Sequence, residues 1–166
     1  MAQTDVSTYG FSLDAAQRGQ KADAGFDDVN SYAAEGTVPF GTGVVLGTDP
    51  AQQVAVASAD TETFTGIALF THRVTQGIDQ SATAGEQYST GAEYRNGDAA
   101  NVLRRGRVYV EVTAEVAAGD DAFVDVTSEG EEGKFTDVEL DNLPTGGVFR
   151  SSAGVGELAI VEINLP

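Results

Sequence analysis

From Thr37 onward the chain is a succession of short apolar runs, and no helical run separates one from the next. This feature limits the fold most, because parallel strands need long crossover connections and none is available. The candidate strands cover residues 43–46, 53–57, 64–72, 86–94, 102–104, 107–112, 122–126, 148–150 and 158–165. Turn chemistry lies between them at 47–50, 96–98, 119–121, 130–133 and 145–147. The 20 glycines among 166 residues fit many turns better than long helices. Short strands spaced by about 8–12 residues predict an all-β fold, an antiparallel β-sandwich or a barrel, jelly-roll-like.

Two runs define faces. In the last one, Ala159, Val161, Ile163 and Leu165 point one way, and Leu158, Ile160, Glu162 and Asn164 the other. So apolar a terminus is expected to be an integral strand, with Val161 in the core and Glu162 on the wet or interface side. In 107–112, Val108, Val110 and Val112 share a face opposite Arg107, Tyr109 and Glu111. Each valine that enters a core contributes about 1.5–3 kcal/mol.

Residues 1–36 have another texture, with sparse apolar positions interrupted by Gly10, Gly19, Gly25 and Gly36. At most one short helix, over 13–24, fits this segment, with Ser12 as N-cap and Gly25 as its stop. Such a segment has no core of its own. The chain therefore divides into an N-terminal arm, 1–36, and a β-domain, 37–166.

There are 26 acidic and 9 basic residues, a net charge of −17. That balance argues against nucleic-acid binding and favours solubility. No basic start with an apolar run marks a signal peptide, and no stretch approaches the ~20 apolar residues of a membrane span. A soluble, cytoplasmically made protein is expected. With no cysteine, neither disulfides nor thiolate metal sites are available.

Catalytic patterns are not evident. His72 is the only histidine, next to Arg73 at a strand end, and a surface role suits it better than acid–base work. Ser151 and Ser152 lie beside a Gly-rich turn without a nucleophile elbow, so turn hydrogen bonding is expected. The acidic runs at Asp120, Asp121 and 129–132 lack the EF-hand pattern. A weak, opportunistic Ca²⁺ site at Asp120, Asp121 or Glu131 is the most they would offer, and no cofactor or metal is expected. Arg104, Arg105 and Arg107 hold a third of the basic residues within four positions. Two readings stand: pairing with acids on adjacent strands, or an interface stripe facing acidic groups on a neighbour. Gly106 between them points to a bulge or turn that re-aims the side chains.

The segments 147–166, 97–110 and 116–120, with Val38-Pro39-Phe40-Gly41 and Phe64-Thr65-Gly66-Ile67-Ala68-Leu69 in order upstream, carry a resemblance. Over roughly residues 37–166 the chain resembles the structural cement (capsid decoration) proteins of tailed bacteriophages. The resemblance implies a non-enzymatic virion component on the outer capsid surface, clamping neighbouring major capsid subunits non-covalently. Its partners would be the major capsid protein and itself, as a dimer or trimer. The arm would then extend across a neighbour, burying Tyr9, Phe11, Leu13 and Phe26, or else fold back on its own domain. The alternative is a carbohydrate-binding or other adhesive β-sandwich module on the virion, which the lack of Trp disfavours. A small hydrolase is the third class; its acids and base would have to include His72 or be all carboxylate.

Overall fold

A computed structural model describes residues 16–71 and 93–166. Among the described residues, eleven strands make up the regular structure and no helix occurs. In order they are β1 (Asp28–Ala34), β2 (Val38–Pro39), β3 (Gly43–Leu46), β4 (Gln53–Val56), β5 (Phe64–Ala68) and β6 (Glu93–Tyr94). Then follow β7 (Ala99–Glu111), β8 (Asp121–Val124), β9 (Phe135–Thr136), β10 (Leu143–Phe149) and β11 (Leu158–Asn164).

The main sheet runs β1-β4-β3-β5-β7-β11-β10-β8-β9, and β1 also pairs with β7. That extra pairing closes β1, β4, β3, β5 and β7 into a five-stranded barrel. Pairing is antiparallel except between β1 and β4. The remaining strands form an arm of sheet continuing from the far half of β7. A parallel bridge between Val112 and Phe135 brings its last strand back towards β7. The all-β expectation is met, and the barrel is the form the closure takes.

Two cores result. Inside the barrel lie Ala34, Val44, Val54, Ala68, Ala100 and Val102, with Val38, Phe40 and Tyr94 from beside it. Small side chains suit so narrow a barrel. Tyr94, fully buried, donates its hydroxyl to the Leu69 carbonyl at 2.7 Å and packs edge-on against Phe40. The larger core gathers Val45, Phe64, Ile67 and Leu103 with Val108, Val110, Val124, Phe135, Phe149, Ala159, Val161 and Ile163. It fills the space between the outer side of β3 and β5 and the sheet arm. The approach is close: a Cβ on Gly43 of β3 would lie 2.4 Å from Val124 of β8.

Three features refine the sequence reading. Residues 16–24 are not helical, in keeping with at most one short helix; they run beside β7, with Lys21 bridged to Val108. Their scant apolar face offers no reason to coil, whereas β7 offers open backbone groups. Gly19 donates to the Tyr109 carbonyl at 2.8 Å, and Tyr109 donates back to Gln20 at 2.9 Å. Second, β1 precedes residue 36 and is a stave of the barrel. Third, the runs 102–104 and 107–112 are one strand, β7, which passes straight through Gly106.

Candidate functional site

The arginine cluster owes its layout to a reversal within β7. Ala100 and Val102 face the barrel interior, while Val108 and Val110, of the same parity, face the second core. The reversal falls around Gly106, whose φ of 132° suits glycine. Opposite, the β1 register shifts between Asp28 and Val29 where they meet Arg105 and Leu103. The re-aiming expected from Gly106 is thus achieved inside a continuous strand. It sends Arg104, Arg105 and Arg107 in different directions.

Arg104 turns to the end of the chain, donating through its guanidinium to the Pro166 carbonyl. Arg107 pairs inward. Its Nε donates to Glu162 at 2.5 Å, and its Nη1 lies 3.5 Å from the Asp23 carboxylate. The register makes the first pair, since Arg107 of β7 lies directly opposite Glu162 of β11. On the far side Arg150 donates to both Glu162 oxygens, at 3.0 and 3.1 Å. Hydrogen bonds from Arg150 and then Arg107 hold the Glu162 carboxyl down at about 2.

Arg105 is different. It is exposed and makes no ion pair among the described residues, although exposed Asp28 is its register partner on β1. Its guanidinium carbon lies 5.9 Å from the centroid of the Phe26 ring. That ring is 81% exposed, the most exposed large apolar side chain described. Phe26, Arg105, Arg107, Asp23, Glu162 and Asn164 line an open depression of about 370 Å³. Both carboxylates in its wall are engaged by Arg107, so neither is paired with Arg105.

The other singled-out residues fall elsewhere. Tyr9, Phe11, Leu13 and His72 lie outside the described residues. The serines serve the turns: Ser151 accepts from the Ile160 N–H at 2.8 Å and Ser152 from the Ala118 N–H at 3.2 Å. Asp120 accepts from the Ala117 N–H at 2.9 Å, and Glu131 pairs with Lys134. These carboxylates therefore have separate tasks, and no group of three or more potential metal ligands forms among the described residues. Lys134 also reaches Glu111 at 2.6 Å, and Glu111 holds Arg18 at 3.1 Å. That chain ties the N-terminal run and the β8–β9 hairpin to β7.

Sequence reasoning did not single out Asp23, Glu162 and Arg150 as partners of the arginine cluster. The signal for Glu162 is the polar face of β11 set against the polar face of β7; Asp23 and Arg150 lie outside these two strands.

Comparison with solved structures gives one clear fold likeness and one weaker alignment. The chain aligns with one from the capsid of Myoviridae Phage XM1 at a TM-score of 0.69, covering 99% of this chain and 98% of that one at 17% identity. A second, from the head fiber gp8.5 N base of bacteriophage phi29, gives a TM-score of 0.49, with 83% and 94% covered at 14% identity. The first likeness establishes a fold also found in a phage capsid. No curated protein matches the sequence. The family model for structural cement protein (E217 gp24/Pam3 gp6) matches residues 6–164, so the chain belongs to that phage structural family. The match begins well before residue 37, the start of the sequence resemblance.

Proposed function

We propose that this protein cements a phage head by binding the outside of the assembled shell and holding neighbouring major capsid subunits together without covalent bonds. The observation that carries this reading is the family match over residues 6–164. The protein would be made in the host cytoplasm, where heads assemble, and end on the outer virion surface. Its work is binding, not catalysis. A protein that recognises only the assembled geometry stabilises it by RT ln(1 + [L]/Kd) per site, and many identical sites multiply that term. Self-association as a dimer or trimer would match local two-fold or three-fold symmetry of the shell. Contacts would come from Tyr9, Phe11, Leu13, Phe26 and the Arg104, Arg105 and Arg107 group.

Co-sedimentation with empty, expanded shells of the cognate phage tests the reading. Binding to shells and not to unassembled capsid subunits is expected. Equal binding to both, or none to shells, overturns it.

A further inference from the structure

The cluster on the outer face of β7 separates two kinds of arginine. Arg107 and Arg150 are committed to Glu162, and Arg107 also to Asp23. Arg105 is committed to no carboxylate among the described residues. Arg95 and Arg104 also make no ion pair among the described residues, so the lack of a carboxylate partner alone does not set Arg105 apart; its surroundings do. It stands over a phenylalanine that is 81% exposed. A planar cation beside an apolar ring offers a carboxylate two parallel N–H donors and offers a neighbouring side chain a dry surface. The depression below them gives such a group room to be shielded from water, where charge-assisted hydrogen bonds strengthen.

Resting on the function proposed above, we propose that Arg105 and Phe26 anchor this protein to an acidic, apolar-flanked segment of the capsid subunit, with Arg105 taking an Asp or Glu carboxylate and Phe26 packing beside it. Charge complementarity selects this occupant. A second copy of the same chain would bring another −17 towards the site, and that repulsion works against it. The committed pairs of Arg107 and Arg150 brace the floor of the depression, so the anchor docks onto a fixed surface.

The test uses the full-length protein and expanded shells. Arg105→Glu should lower shell affinity by about tenfold or more, the usual loss when one partner of a shielded charge pair is removed. Phe26→Ala should weaken binding to a lesser degree. Arg95→Glu makes the same charge change at an exposed arginine beyond the opposite end of β1, and should leave binding as it is. Melting curves of all three variants should match the parent, since Arg105 and Phe26 are exposed and Arg105 holds no ion pair among the described residues. Carbodiimide cross-linking of Arg105→Lys on shells should join position 105 to an acidic residue of the capsid subunit.

Parent protein that binds shells while Arg105→Glu binds equally well overturns the anchor and leaves the cementing role standing. A cross-link from position 105 to another copy of this chain, or none from that position, overturns it too. Parent protein that does not bind shells removes the cementing role and the anchor with it.

Discussion

Gly19 carries a constraint out of proportion to its size. A Cβ there would sit 2.7 Å from the Phe70 nitrogen and 2.8 Å from the Ala68 oxygen, at a φ of 76°. Gly36 has the same φ and nothing within 4 Å of a Cβ. Gly36→Ala should therefore show backbone strain alone, about 1 kcal/mol. Gly19→Ala should cost a further 1–3 kcal/mol or so, because backbone atoms must shift. Urea unfolding of the two variants measures the difference. Val161, fully buried in the larger core, should not tolerate aspartate: an unpaired carboxylate there costs several kcal/mol against a total stability of about 5–15. Circular dichroism of Val161→Asp should show an unfolded chain.

Glu162 makes a pH-dependent contribution of defined sign. Its carboxyl is held at about 2, below its ordinary 4.5, by the hydrogen bonds from Arg150 and Arg107. The stabilisation is fully present above the ordinary value and is lost as pH falls through the folded value. Melting temperature should therefore fall between about pH 5 and pH 2, with less of a fall in Glu162→Gln. Solvent reaches the cluster, so the contribution is about 1 kcal/mol or less. Equal acid sensitivity in the two proteins would remove Glu162 from the account.

At the scale of elements, β1 is the test of how the barrel closes. It pairs with β7 across residues 28–33 and with β4 at Ala33 and Ala34. Deleting residues 1–34 should open the barrel, expose Val54, Ala100 and Val102, and abolish cooperative melting. A truncated protein that keeps a cooperative β transition would show that the barrel closes without this strand. Strict alternation made β11 legible from sequence: Ala159, Val161 and Ile163 are buried as their spacing indicates. The turn signals at 47–50 and 119–121 likewise marked the end of β3 and the starts of β4 and β8, whereas the turn expected at 145–147 lies inside β10, at its register shift between Pro144 and Gly147. β1 gave no such signal. Its sequence, DVNSYAA, has a single buried residue, Ala34 at its end, so its place is set by backbone pairing and not by a hydrophobic stripe. β2 and β9 are two residues each, too short for any period. The anchor was legible only in part. The three arginines stood out by composition, but which of them meets a carboxylate depends on the register of β7 with β11, which sets Arg107 opposite Glu162.

At the scale of the whole molecule, the imbalance of 26 acids against 9 bases makes the compact state repel itself. Added salt screens that repulsion and also weakens the ion pairs around Glu162 and Glu111. Repulsion is spread over many more charges, so it should win. Raising ionic strength from about 0.01 M to about 0.15 M should increase the melting temperature by several degrees. A fall would mean that the ion pairs outweigh the net charge.

The barrel and the folded-over sheet are joined through one continuous backbone, the 13 residues of β7. At about 3.3 Å per residue it is roughly 40 Å long. The barrel strands grip its first half, while β11 and the run at residues 19–22 grip its second. A pull that tries to draw the halves apart along this strand loads its hydrogen bonds in shear, many at once, instead of peeling them one by one. The shared strand also denies the molecule a hinge at its waist. A load arriving at one half passes to the other through covalent bonds, as in a rivet whose shank runs through both plates.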